Sequence, residues 1–148
     1  MIPPLDSDGK LPPGVHEATW GEFTATFAGN ARRKRLVEGL YRAVKGLKAA
    51  GCSTVYVDGS LVTAKELPGD FDGCWEPAGV DPVLLDPVFL DFSNGRLAQK
   101  LKYLGEFFPS TARAEAAPPY RTFLEFFQSD KNTGKRKGII ALDLRRLP

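Results

Sequence analysis

The sequence is most informative in residues 53–76, which read STVYVDGSLVTAKELPGDFDGCWE. The first six of these residues are rich in β-branched and aromatic side chains and are followed by a Gly-Ser pair, which predicts a strand ending in a tight turn. Residues 61–66 predict a short helix, which the following Pro-Gly pair would terminate. Polar and apolar residues then alternate over residues 70–76, which predicts a second strand with one buried face.

Two features of this stretch predict a nucleotide site. A strand that runs into Gly59 and Ser60 brings backbone N–H groups and a hydroxyl to a helix start, where unpaired amides and the helix dipole favour phosphate. Asp70 and Asp72 are two residues apart, so a strand would point both carboxylates to one face. Because neighbouring carboxylates repel each other, a shared divalent cation would keep both ionised. A metal there would bridge the phosphates of a nucleotide held at the turn.

A strand ending in Gly-Ser, followed by a strand with Asp-x-Asp, resembles the signature of the DNA polymerase beta-like nucleotidyltransferases. The resemblance covers residues 31–108, which are predicted to run helix, strand, turn, short helix, strand, helix and strand. It implies the minimal nucleotidyltransferase fold. It also implies phosphate binding by Gly59 and Ser60, with Mg²⁺ (or Mn²⁺) bound by Asp70 and Asp72.

In that superfamily a third acid on a later strand lies beside the pair. The best match in this chain is Glu106, and Asp91 is the competing candidate. The resemblance therefore implies that Asp70, Asp72 and Glu106 are both metal ligands and catalytic residues, with Glu106 also a candidate to activate the acceptor hydroxyl.

The chain departs from the signature directly after the Gly-Ser pair. Many minimal members carry an Arg there, where this chain has Leu61, and Lys65 is the candidate to supply that positive charge to the nucleotide. The whole chain looks like an uncharacterised bacterial branch of the superfamily, some minimal relatives of which belong to toxin–antitoxin modules.

The resemblance implies an enzyme that transfers a nucleotidyl group from a nucleoside triphosphate to a hydroxyl of a protein or RNA. A cognate antitoxin-like protein is then a further expected partner. The alternative is a catalytically inactive member that keeps the fold as a binding or antitoxin-like module, which the missing Arg favours.

Outside this stretch the sequence predicts a mixture of helices and strands in a single domain, residues 1–148. Four of the twelve prolines lie in residues 1–15, which indicates an extended N-terminal arm. The last two predicted strands are expected to pair as a C-terminal β-hairpin around a basic turn. The predicted fold class is α+β, a small mixed sheet with helices packed on one side. Periodicity predicts helices over 16–27, 31–50 and 96–103, and strands over 106–108, 123–128 and 139–144.

Composition excludes several classes of protein. A chain of 148 residues, 43% of them hydrophobic, is enough for one globular domain. No apolar run approaches the ~20 residues that a membrane span needs, and the N-terminus lacks the basic and apolar regions of a secretory signal. Cys52 and Cys74 are expected to be reduced and buried. We therefore expect a cytoplasmic protein with no membrane partner.

The net charge of +2 is too small to indicate nucleic-acid binding by itself. Basic residues nevertheless cluster in residues 32–35, at the start of a predicted helix, and in residues 131–137. Because the helix dipole disfavours cations at a helix start, the first cluster favours an anionic partner such as RNA or the phosphates of a substrate. Helical periodicity places Arg33 on the solvent face of that helix.

Overall fold

The computed structural model describes residues Met1–Pro148 and is built around a five-stranded mixed sheet. The order across the sheet is β1-β5-β2-β3-β4. The parallel pairs are β1 with β5 and β3 with β4, whereas β2 is antiparallel to both of its neighbours. The strands are β1 (Gly14–Ala18), β2 (Thr54–Asp58), β3 (Asp72–Trp75), β4 (Glu106–Pro109) and β5 (Gly138–Asp143).

Four helices accompany the sheet, which confirms a mixed α+β protein. They are α1 (Trp20–Phe27), α2 (Ala31–Ala49), α3 (Ser93–Tyr103) and α4 (Phe123–Phe126). The predicted long helix is confirmed as α2. Its predicted N-cap, Asn30, is also confirmed, because the Asn30 side chain accepts a hydrogen bond from the Arg33 backbone N–H. None of the helices combines the length and the apolar character that crossing a bilayer requires.

Both faces of the sheet are packed, because side chains alternate along each strand. The larger core lies between the sheet and helices α1 and α2, and a smaller cluster lies on the opposite face beneath α4. The prediction that the helices pack on one side only is therefore wrong for α4. Strand residues of the larger core include Val55, Val57, Ile140 and Leu142, and those of the smaller cluster include Tyr56, Cys74, Phe108 and Ile139.

The C-terminal β-hairpin predicted from residues 123–128 and 139–144 is wrong. Residues 123–126 form α4, which starts at a capping box in which Thr122 and Glu125 each accept from the other's backbone N–H. The phenylalanines at 123, 126 and 127 have the spacing of one helix face, and this spacing outweighs their β propensity. β5 instead pairs with β1 and β2.

Two predicted helices are shorter in the structure. The helix expected over residues 16–27 begins at Trp20, because a capping box at Thr19 starts it and the preceding residues pair with β5 as strand β1. The helix expected over residues 61–66 is reduced to one 3-10 turn, Ser60–Val62. The proline-rich residues 1–13 contain no helix or strand, yet Leu11 is buried in the larger core.

The arginines at the start of α2 hold the loop that joins β2 to β3. The Arg33 guanidinium is buried and donates to the carbonyl of Phe27 at 3.2 Å and to three loop carbonyls. Arg32 donates to two carbonyls further along the loop, those of Pro68 and Gly69. The expectation that Arg33 faces solvent is therefore wrong. The loop acceptors of Arg33 are Leu61 at 2.7 Å, Thr63 at 2.6 Å and Lys65 at 2.5 Å.

We expect Arg33→Ala to lower the free energy of unfolding by about 2–4 kcal/mol, because it leaves the buried carbonyls of Phe27 and Leu61 without this donor and frees two loop carbonyls. Arg35→Ala is the matched control, since Arg35 is the same residue type on the exposed side of the same helix turn. Urea unfolding followed by circular dichroism measures both. A loss for Arg33→Ala no larger than that of Arg35→Ala would contradict this role.

Candidate functional site

Three carboxylates stand side by side where β2 ends and β3 and β4 begin. Asp58 pairs in register with Asp72, and Asp72 pairs in register with Glu106. Side chains of registered neighbours lie on the same face of a sheet, so the three acids form one row across adjacent strands. Because Asp72 precedes Cys74 by two residues, the row lies on the face that carries α4.

The Gly-Ser turn is joined to this row. Gly59 has a φ of +91°, and a Cβ there would lie 3.2 Å from the backbone N of Asp72. Only glycine fits both the backbone angle and this close approach. The Ser60 hydroxyl donates to the backbone carbonyl of Asp70 at 3.2 Å. The turn and the acidic segment are thereby held together.

Asp70 lies outside the strand that was predicted to contain it. The predicted strand over residues 70–76 begins at Asp72, so Asp70 is an exposed loop residue that precedes β3. The reason is that the register with β2 ends at Asp58, and beyond it the chain turns away through Gly59. Asp70 and Asp72 nevertheless line the same cavity.

All six residues predicted for the site line one cavity of about 640 Å³. This volume lies within the range of small-molecule sites. The competing acid, Asp91, does not line the cavity, and its carboxylate instead accepts hydrogen bonds from the backbone and hydroxyl of Ser93. The six residues are Gly59, Ser60, Lys65, Asp70, Asp72 and Glu106.

Two of the three acids in the row are paired with basic side chains. Lys137 donates to Asp58 at 2.7 Å; burial raises the pKa of Asp58 above its usual value, and this ion pair opposes the rise. Arg96 and Lys100 each contact Glu106 at 3.0 Å. Burial acts to raise the pKa of Glu106, but the hydrogen bonds from Lys100 and Arg96 outweigh it, so the pKa is lowered.

Asp72 is the acid of the row without a basic partner. Burial raises its pKa to about 7, and the nearby carboxylates of Asp58, Asp70 and Glu106 add to the rise. Near neutral pH this side chain therefore holds a proton in a substantial fraction of molecules. A cation that approaches Asp72 would displace that proton and offset the repulsion.

Sequence reasoning missed Asp58 and Lys137. The signal for Asp58 is present, since alternation along β2 places it on the same face as Tyr56, at the residue before the Gly-Ser pair. No sequence signal links Lys137 to Asp58, because 79 residues separate them and only the tertiary fold brings them into contact.

The oxygen donors of this site match the preferences of Mg²⁺, but they do not enclose an ion. No group of three or more His, Cys, Asp or Glu side chains is arranged so that it could hold a metal by itself. Mg²⁺ is commonly bound by one or two carboxylates together with substrate phosphates. Asp70 and Asp72 fit this second arrangement, in which a bound phosphate chain supplies the remaining ligands.

The raised pKa of Asp72 predicts how stability depends on pH. Between about pH 4 and pH 7 the folded state holds a proton at Asp72 that the unfolded state releases, so this group makes stability fall as pH rises. Asp72→Asn removes this dependence and should raise the free energy of unfolding near pH 8 by about 1–3 kcal/mol without divalent cations. Urea titrations at about pH 5 and about pH 8 measure the difference from the unmodified protein.

Glu66→Gln is the charge-matched control, because Glu66 is exposed and its carboxylate makes no hydrogen bond or ion pair. An equal stabilisation by Glu66→Gln, or the same pH slope in Asp72→Asn as in the unmodified protein, would contradict this account of Asp72.

Comparison with known proteins gives one match. No curated protein and no solved structure matches the chain. The model of a family of unknown function, DUF6932, matches residues 3–143, a range that includes every site residue described above. The chain therefore belongs to this family of unknown function, DUF6932.

Proposed function

We propose that this protein is a nucleotidyltransferase of the DNA polymerase beta-like type, which binds a nucleoside triphosphate together with Mg²⁺ in the cavity. The observation that carries the proposal is that Asp72 has no basic partner although it stands between Asp58 and Glu106 and packs against Gly59. A carboxylate with a pKa near neutrality, next to a Gly-Ser turn and an exposed second aspartate, is suited to share a cation with phosphate oxygens.

Lysines in the same cavity support binding of the phosphate chain. Lys10 is paired with Asp130, and Lys137 is paired with Asp58. Lys65 and Lys131 also line the cavity, are exposed, and form no ion pair. They are therefore the cations available to an anionic ligand. In this proposal Lys65 would supply the positive charge that an Arg after the Gly-Ser pair supplies in many minimal members.

In the proposed reaction the oxygen of an acceptor hydroxyl attacks the α-phosphorus, and the bond to the oxygen that bridges the α- and β-phosphorus atoms breaks to release pyrophosphate. Bound Mg²⁺ would neutralise charge on the transferring group. Asp70 and Asp72 hold the cation, and the Gly59–Ser60 turn with Lys65 orients the phosphates. Glu106 accepts the proton of the hydroxyl after Arg96 and Lys100 release its carboxylate. The acceptor is a hydroxyl of a protein or an RNA.

A second candidate is a binding module without catalysis, such as an antitoxin-like partner protein. Two observations favour it. Leu61 occupies the position where many minimal members carry Arg. Its side chain is fully buried in the core and has no charge or hydrogen-bonding group to bind a phosphate. Glu106 is already neutralised by two basic side chains. Binding of nucleotide without release of pyrophosphate would indicate this candidate.

We expect Mg²⁺ and ATP together to raise the free energy of unfolding by about 2–3 kcal/mol at a hundred-fold excess over Kd, by mass action. Mg²⁺ alone should have little effect, because the protein supplies too few ligands. Asp70→Asn and Asp72→Asn should each abolish the gain, and differential scanning fluorimetry measures it. Glu66→Gln, a surface acid outside the cavity, should keep it. Stabilisation by Mg²⁺ alone, or an undiminished gain in Asp72→Asn, would contradict the proposed shared site.

We expect Glu106→Gln to lower the rate of pyrophosphate release by about 10²-fold or more, the usual effect of removing a general base. Asp91→Asn is the matched control and should stay within about two-fold, because Asp91 is outside the cavity. Release is measured with each of the common nucleoside triphosphates, with total RNA or total protein as acceptor. Equal effects of the two substitutions would rule out Glu106 as the third acid.

A further inference from the structure

The lining of the cavity combines residues of two chemical kinds. Its acids and lysines come from the strand ends, from the Gly-Ser turn and the loop after it, from the N-terminal segment and from the loop after α4. Four of its six apolar lining residues are phenylalanines from β4 and from α4 with the residue that follows it. The proposed phosphate and metal site uses none of them. The four are Phe108, Phe123, Phe126 and Phe127.

Packing within the protein accounts for three of these rings. Phe108 and Phe123 stack on each other with ring centres 4.1 Å apart, and Phe127 is buried at 6% exposure. Phe126 is half-buried, as Phe108 and Phe123 are, but its one aromatic neighbour is Phe127, tilted with ring centres 6.3 Å apart. The Arg121 guanidinium lies 5.5 Å from the centre of the Phe126 ring. Phe126 is therefore the half-buried ring of the four that is not stacked on another phenylalanine of the lining.

We infer that Phe126 stacks against the base of the nucleoside triphosphate whose phosphates lie at the acidic part of the cavity. A base is planar and has a π face, and stacking on an aromatic side chain is favourable for every base. Of the other three phenylalanines, Phe127 is buried and Phe108 and Phe123 are stacked on each other, whereas Phe126 lines the same cavity of about 640 Å³ as the acids and lysines. The inference rests on the proposed function and identifies which part of the chain holds the nucleoside.

Calorimetric titration with two ligands, Mg²⁺-ATP and Mg²⁺-tripolyphosphate, separates the contribution of the nucleoside to the binding affinity from that of the phosphates. Phe126→Ala should weaken ATP binding roughly ten-fold or more and leave tripolyphosphate binding unchanged. Phe126→Trp should retain ATP binding, because it keeps an aromatic face. Asp72→Asn should weaken both ligands.

Phe92→Ala is the matched control. Phe92 stacks on Phe108 in the same aromatic cluster, is exposed, and does not line the cavity. It should leave both affinities unchanged.

The outcomes distinguish failure of this inference from failure of the proposed function. Equal affinity of the unmodified protein for ATP and tripolyphosphate would overturn the stacking role and leave the nucleotide site standing. Equal weakening of both ligands by Phe126→Ala, or an equal loss of ATP binding in Phe92→Ala, would also overturn it, because the effect would then come from packing. Binding of neither ligand by the unmodified protein would overturn the proposed function together with the inference.

Discussion

The buried guanidinium of Arg33 joins the start of α2 to the loop between β2 and β3. It donates to the carbonyls of Phe27, Leu61, Thr63 and Lys65, and a charged donor to buried carbonyls is costly to remove. That loop begins with the Gly-Ser turn and ends where Asp70 enters the cavity. Arg33 thus fixes the loop between the turn and Asp70, while the Ser60–Asp70 hydrogen bond and the β2–β3 register hold the turn beside the acids. The rest of the candidate site depends on this geometry.

The three carboxylates of the row repel one another, and the basic side chains of the protein offset this repulsion only in part. Lys137 compensates Asp58, and two basic side chains compensate Glu106, so the folded chain neutralises the outer acids itself. The central Asp72 is left with repulsion from both sides and with a raised pKa. Sites of chemistry commonly contain such groups, and an external cation is the simplest compensation. The charge pattern therefore supports a site that is completed by its ligand.

The cavity also depends on segments that are distant in the chain. Lys10, from the proline-rich N-terminal segment, forms an ion pair with Asp130, and the Asp130 carboxylate also accepts from the backbone N–H of Asn132 and Thr133. These contacts shape the loop after α4 and position Lys131 at the cavity. Helix α4 contributes Phe123 and Phe126 to the lining of the cavity. Lys131 and Lys137 of the basic segment 131–137 thus line the candidate site, whereas Arg32 and Arg33 at the start of α2 bind backbone carbonyls.

The sequence alone determined the elements whose signal is local. Helical periodicity and the Asn30 cap predicted α2, and β propensity followed by Gly-Ser predicted β2 and its turn, because these preferences act within a few residues. The spacing of Asp70 and Asp72 is also a local pattern, whereas the prediction of Glu106 over Asp91 came from the resemblance to a known superfamily. Only the tertiary structure decided the pairing of β5 with β1 and β2, the helical state of residues 123–126, the burial of Arg33 and the Asp58–Lys137 contact. Each of these depends on groups far apart in the chain, which meet only when the sheet forms and buries them together.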